Sequence, residues 1–469
     1  MADLELCGLS VARAAKAIQA REISPLELTD AYLRHIDTLT PRINAYITVT
    51  SERARADARR ATEELAAGRS RGPLHGIPIA LKDLYETAGI RTTGGGKFHT
   101  NHVPTHDCTV ARRLHDAGTI LLGKLNTHEY AYGVTTNNPH YGATRNPWNL
   151  EHIPGGSSGG SGAAIAAGLA TATLGTDTGG SIRMPASVCG VVGMKATYGR
   201  VSKAGVLPLS YLFDHAGPIT RTVEDAALVL GAIAGYDALD ATTVRTPVDD
   251  YTSKLHAGVR GLRIGIPRDY FFDHLDDEVA AGVERAIDEL RKLGADVRDI
   301  EMPGVANGVG AVFGLVLAEA QEIHAHALRT RPQDFGADVG QLLGSPTPNT
   351  ETLMLALRAR DALCVAMRRA LESFDLLLTP ATPIVAARIG EETIRYGGIE
   401  EPVLSAMIRC TAPFNATGLP ALSLPCGFTR AGLPIGLQLA GRPFDEVTVL
   451  QAGHAYEQAT SWHTQTPKI

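Results

Sequence analysis

The apolar positions of this chain follow two periods, one helical and one alternating. Ser24-Pro25-Leu26-Glu27 reads as a helix start, with serine as the cap, proline at the first helical position and glutamate reaching back. Leu26, Leu28, Tyr32 and Ile36 then mark one helical face. Residues 52–67 predict a second helix, rich in Ala, Arg and Glu, whose charges form a solvated face. The period changes at Ile77, Ile79 and Leu81, which alternate as in a strand. The other face of that strand carries Pro78, Ala80 and Lys82, and a lysine in such apolar company needs a reason. Residues 163–170 predict a helix and 172–174 a short strand after it. Downstream, 261–267 predicts a strand and 277–293 an amphipathic helix. Val279, Val283, Ile287 and Leu290 share one face of that helix, and Gly294 ends it. Residues 374–379 and 421–425 predict buried strands. The elements mix without a repeat and no polar linker divides them. The expectation is one large α/β domain over residues 1–469.

Composition narrows the class. With 44% hydrophobic and 20% charged residues, the 469-residue chain has an ordinary globular balance. A net charge of -6 offers no basic footprint for nucleic acid. The apolar runs are too short or too broken by Gly and Ala to span a membrane. The opening Met-Ala-Asp-Leu-Glu lacks the basic-then-apolar order of a signal peptide. Six scattered cysteines without a CxxC pair read as reduced thiols of a cytoplasmic protein.

Candidate chemistry concentrates in two glycine loops that carry serines, Gly155-Gly156-Ser157-Ser158-Gly159-Gly160-Ser161 and Asp177-Thr178-Gly179-Gly180-Ser181-Ile182-Arg183. Glycine lets backbone N–H groups turn inward and approach a ligand. A serine on such a turn has its hydroxyl exposed beside clustered donors, as acyl transfer requires. The first loop is not a phosphate-binding loop, since no Gly-Lys-Ser/Thr follows its glycines. It holds a G-x-S-x-G pattern, but residues 146–154 before it do not read as the strand that a nucleophile elbow needs. Asp177 and Arg183 flank Ser181 and are expected to pair and brace the loop. Among the sixteen histidines there is no HExxH. Pro104 interrupts His102 and His106, and His324 and His326 fall on different helix faces, so no metal is expected.

Together with Lys82, these stretches resemble the amidase signature family. The likeness runs through GIPIALKD around Lys82, GKLNTHEYAYG from Gly123 and PGGSSGGSGAAIAAGLATATLGTDTGGSIRMPASVCGVVGMKATYGR from Pro154. It continues in GPITRTVEDA from Gly217 and NATGLPALSLPCG from Asn415. Ala196 departs from it, standing where the family usually has proline, and only a local effect is expected.

The resemblance implies a twisted mixed sheet covered by helices, with a helical segment over about residues 1–70 packing on the catalytic core. It implies a Ser–cis-Ser–Lys triad, with Ser181 as acyl-forming nucleophile, Ser157 as bridging serine and Lys82 as base. The Gly156–Ser157 bond would be cis, and the backbone N–H groups of Thr178, Gly179, Gly180 and Ser181 would form the oxyanion hole. Tyr130 and Tyr132 are candidates to line the substrate pocket or plain core. Ser158 is a candidate for the substrate or for bonding within its loop. A lysine with its usual pKa near ~10.4 is protonated and useless as a base, but burial lowers that value.

The expected activity is hydrolysis of a small or aryl carboxylic amide, with carbamates, ureas, hydrazides and esters within reach. No cofactor is expected. The expected partner is a small-molecule amide, with no nucleic acid and no membrane, and a homodimer is left open. The alternative is the amidase subunit of a glutamine-dependent tRNA amidotransferase. By resemblance, that subunit grips glutamine with a basic and an acidic residue. Arg360 matches the arginine, but the aspartate's place falls at Ile408. The tyrosine-bearing segment of that subunit is also not found near residues 324–329. The reading taken is therefore the stand-alone hydrolase.

Overall fold

The computed structural model describes residues 3–469, so Met1 and Ala2 of the N-terminal stretch read above lie outside the described residues. Eleven strands form one mixed sheet. In chain order they are β1 Tyr46–Val49, β2 Pro78–Lys82, β3 Ile120–Leu125, β4 Ala172–Asp177, β5 Val192–Lys195 and β6 His215–Thr220. They continue as β7 Arg263–Pro267, β8 Asp296–Ile300, β9 Leu376–Pro380, β10 Ala421–Phe428 and β11 Pro434–Gly441. Across the sheet the order is β1-β3-β2-β4-β6-β5-β10-β11-β9-β7-β8. The pairs β3–β2, β2–β4, β9–β7 and β7–β8 are parallel, and the other pairs are antiparallel.

The central strands are buried along their whole length, β2, β4, β6, β9 and β11 among them. Helices cover both faces, which is why β2 reads as a continuous apolar run rather than a polar–apolar alternation. On one flank the helix Pro25–Ile43 starts with the expected capping box, Ser24 and Glu27 bonding reciprocally. It packs on the helix Ser51–Ala66, whose buried face is Ala54, Ala58 and Ala61. The amphipathic helix Asp277–Lys292 buries Val279, Val283, Ile287 and Leu290 against β10 and β11.

One predicted boundary is misplaced. The alanine run predicts a helix from residue 163, but the helix is Gly159–Ala166 and begins on the glycines of the loop itself. Those glycines are packing requirements: a Cβ on Gly160 would meet the Asn126 carbonyl at 2.4 Å.

Between β8 and β9 the chain inserts a helical cap, including Val305–Ile323, Ala325–Thr330, Ala337–Leu343 and Thr350–Ser373. The cap builds its own apolar cluster with Phe213, Phe271 and Phe414 of the body. Polar contacts also fasten it. Gly336 N–H donates to Glu129 at 2.8 Å, and His128 stands 3.0 Å from Asp338.

Candidate active site

Lys82 ends β2, and β4 runs beside it with Leu81 opposite Leu174. This register brings the lysine to the strand end from which the Ser181 loop departs. Lys82 is wholly buried. Its Nζ lies 2.7 Å from Ser157 Oγ and 2.7 Å from Thr176 Oγ1. Burial lowers its pKa to about 7, while Asp214 and then Asp177 pull the other way. Near neutrality Lys82 therefore holds or releases a proton readily, and Ser157 is its immediate partner.

The Gly156–Ser157 peptide bond is cis. The Ser157 carbonyl is fixed by His128 N–H at 3.1 Å and by the Thr127 hydroxyl at 2.9 Å. Ser158 N–H donates to the Ser181 carbonyl at 3.3 Å, so the two glycine loops touch through their backbones. The Ser158 hydroxyl is taken up by Thr176, donating to its carbonyl at 3.1 Å and accepting its N–H at 3.2 Å.

Ser181 is 6% exposed at the end of a heavily braced loop. Asp177 and Arg183 pair at 3.0 Å, both wholly buried. Burial works against the Asp177 carboxylate, but the Arg183 guanidinium outweighs it and holds the carboxyl well below the usual range. The same carboxylate accepts Ile182 N–H at 3.1 Å and Asn415 Nδ2 at 2.8 Å. Arg183 goes on to Asn415 Oδ1 at 2.6 Å and the Thr411 carbonyl at 3.0 Å. Thr411 donates its hydroxyl to the Gly179 carbonyl at 2.6 Å. Gly180 has φ 136°, and a Cβ there would strike Thr411 Oγ1 at 2.1 Å, so only glycine fits.

The carbonyls of Gly179, Gly180 and Ser181 are occupied, while the N–H groups of the same three residues, like that of Thr178 before them, have no acceptor among the described residues. Three unsatisfied donors beside a serine hydroxyl are the arrangement that receives a developing oxyanion. Chemically, the arrangement offers a lysine able to exchange a proton with Ser157 and, on the adjoining loop, a serine flanked by free N–H donors.

The two tyrosines separate. Tyr130 is buried at 3% exposure, its ring on His324 and Phe335 of the cap and its hydroxyl 3.4 Å from His99 Nδ1. Tyr132 is half-buried against the cluster between cap and body. Ile408 is buried with Met184, Ala412 and Val134 in an apolar cluster that abuts the Ser181 loop. Arg360 bonds the Ala416 carbonyl at 2.9 Å. Sequence reasoning assigns no role to Thr176, Asp214, Thr411 or Gln438. Asn415 lies inside a family motif without one. Their signal is tertiary, since Thr411 and Gln438 are more than 200 residues from the loop they brace.

Comparison with known proteins bears on this geometry. The model of a family described as Amidase matches residues 27–450. A glutamyl-tRNA(Gln) amidotransferase subunit from Moorella thermoacetica is 44% identical, over 99% of both chains. A solved structure, described as part of a vestigial protein complex that reveals the origins of an s-triazine catabolic enzyme, is 36% identical. Its TM-score is 0.92, covering 96% of this chain and 98% of that one. The corresponding glutamyl-tRNA(Gln) amidotransferase subunit of Thermotoga maritima is 33% identical with a TM-score of 0.82, covering 98% and 96%. These findings overturn one expectation. Sequence reasoning gives the chain a small-molecule amide and no nucleic acid, yet relatives alike over their full length are subunits of an enzyme named for glutamyl-tRNA. Net charge, on which the nucleic-acid part of that expectation rests, averages over the whole surface and cannot show what a subunit does inside an assembly.

Proposed function

This chain belongs to the Amidase family, and from that premise we propose that it is the amidase subunit of a glutamine-dependent tRNA amidotransferase, cleaving its amide through an acyl-enzyme on Ser181. The observation that carries the reading is the 44% identity over 99% of both chains with a subunit of that kind. In this reading neutral Lys82 takes a proton through Ser157 as Ser181 attacks the amide carbonyl. The N–H groups of Gly179, Gly180 and Ser181, with Thr178 before them, receive the oxyanion. Ser157 then gives a proton to the leaving nitrogen, which amide cleavage needs because an amide anion is a very poor leaving group. Water reverses the relay and frees the acid.

A second reading has a specific observation in its favour. Where the amidotransferase resemblance places an acid to grip glutamine, this chain has Ile408, buried among Met184, Ala412 and Val134. An apolar wall suits the acyl part of an uncharged or aryl amide better than an α-ammonium group. Tyr132 and Ile408 would then face the acyl group.

One experiment separates the two. Glutaminase activity is measured for the chain alone and with amidotransferase partner subunits and tRNA, beside a panel of anilides, primary amides and carbamates. Glutamine turnover that appears with the partners upholds the first reading. Turnover of anilides by the chain alone, with glutamine inert in every mixture, replaces it with the second.

A further inference from the structure

Asp214 ends the turn that leads into β6. Its Oδ1 accepts the Thr178 hydroxyl at 2.5 Å. Its Oδ2 accepts the N–H groups of Leu209 at 2.8 Å and Ser210 at 3.1 Å. Thr178 is the first residue beyond β4 and directly precedes Gly179. The bond to Asp214 therefore fixes where the three free N–H groups begin. The outer side of the same turn is gripped by the cap. Glu319 accepts the Ser210 hydroxyl, the Tyr211 N–H at 3.1 Å and the Leu212 N–H at 3.3 Å. Asp214 also lines a cavity of about 410 Å³ with Thr176, Lys203, Ser210, Tyr211 and His215. Thr176 is the hydroxyl that holds Lys82. One carboxylate thus touches the oxyanion loop and borders the setting of the buried lysine.

We propose that Asp214 is a positioning residue for the Ser181 chemistry: through its bond to the Thr178 hydroxyl it anchors the start of the oxyanion loop. The proposal rests on the reading of Ser181 as nucleophile and Lys82 as base, and deepens it. All three of its contacts are donors, which suits the ionised carboxylate. Asp240 lines the same cavity, its carboxylate taken up by the N–H groups of Lys203 and Thr242. Burial pushes the Asp214 carboxyl up, while its three donors and Lys203, on the loop before it, favour the ionised form. Glu319 of the cap, itself pushed up by burial, opposes a second negative charge beside its own. His215, next in sequence, is kept neutral by burial and by Lys195. Asp177, the other carboxylate acting on Lys82, is already committed to Arg183. Of these carboxylates, Asp214 acts on Lys82 most strongly. Removing its charge should make Lys82 neutral at lower pH and, independently, free Thr178.

The test is the rate at which a fluorophosphonate labels Ser181 in the full-length chain, measured against pH, because it needs no knowledge of the amide. Wild type should label on Ser181 with an acid limb near pH 7, where burial has set Lys82. Failure of that result removes the triad reading, and this proposal with it. Asp214→Asn should move the limb to lower pH and reduce the plateau on the order of tenfold or more, through a misplaced oxyanion loop. Thr178→Val should reduce the plateau without moving the limb, and Thr178→Ser should restore it. A folded Asp214→Asn protein with wild-type limb and plateau overturns the role of Asp214 alone. If that variant does not fold, the threonine pair decides: equal plateaux for valine and serine overturn the proposal, and a loss rescued by serine upholds it.

Discussion

Lys82 on β2 and Lys124 on β3 occupy neighbouring parallel strands, with Leu81 opposite Lys124, and both are wholly buried. Their settings differ in one respect. Lys124 Nζ donates to the Tyr85 carbonyl at 2.6 Å and the Thr92 hydroxyl at 2.7 Å, with Asp83 at 3.5 Å. Lys82 Nζ meets two hydroxyls and, among the described residues, no carboxylate within ion-pair distance. A carbonyl and a carboxylate only accept, so they call for the protons of an ammonium. A hydroxyl can donate as well as accept, so it also serves a neutral amine. Burial lowers both pKa values, against an ion-pair carboxylate, Asp83, at Lys124 and against carboxylates beyond ion-pair distance, Asp214 and Asp177, at Lys82. Burial alone does not make a base; the donor capacity of the partners does.

The largest effect should come at Ser181, the proposed nucleophile. Ser181→Ala should abolish labelling, a loss on the order of 10⁴-fold or more, with mass spectrometry finding no adduct. An adduct on Ser157 or Ser158 in that variant would move the nucleophile to the other loop.

Next comes the comparison itself. Lys82→Ala should slow labelling on the order of 10²–10⁴-fold, the usual contribution of a general base. Lys82→Arg should not rescue it, since arginine keeps its proton. Lys124→Met should instead destabilise the fold by about 3–5 kcal/mol, because it strands Asp83 as a buried unpaired charge. Chemical denaturation would read that loss, while the folded fraction labels at nearly the wild-type rate. A Lys124 variant that is stable but slow to label would erase the distinction.

The pH profile sharpens it further. The folded pKa of Lys82 is depressed to about 7, so the ammonium dominates below that value and the neutral base above it. Labelling should fall about tenfold per pH unit below pH 7 and level off above it. A rate flat from pH 5 to 9 would show that Lys82 does not titrate in the reaction.

The smallest effect is expected at Ser158. Among the described residues its hydroxyl bonds only the backbone of Thr176, so Ser158→Ala should cost about 1 kcal/mol of stability and leave the limb where it was. A shift of the limb would give Ser158 a place in the relay.

Much of this is legible along the chain. The capping box at Ser24, the strand at Lys82 and the amphipathic helix ending before Gly294 follow local rules that neighbouring residues enforce. The Asp177–Arg183 brace is readable because its partners are six residues apart. The start of the helix at Gly159 is not. Glycine carries no propensity for it, and the reason those positions are glycine is contact with Asn126 and Thr136, far away in the chain. Thr176 is easily passed over because an isolated threonine on a strand resembles any other. The partner expectation fails differently. It weighs single features, Ile408, a missing tyrosine-bearing segment near residues 324–329 and an averaged net charge, above likeness over the whole length of the chain.

The sequence by itself determined the element types, the two serine loops, the lysine that joins them and the family. Each is written in side-chain period, backbone freedom or a contiguous motif. Only the tertiary structure decided which buried lysine faces hydroxyls rather than carbonyls. It also decided which carboxylate takes the Thr178 hydroxyl, and which distant threonine and glutamine brace the Ser181 loop. Those facts depend on strand order and register, which bring together residues up to 255 positions apart, as at Arg183 and Gln438. No local pattern encodes such a meeting, because its partners share neither a helix face nor a strand.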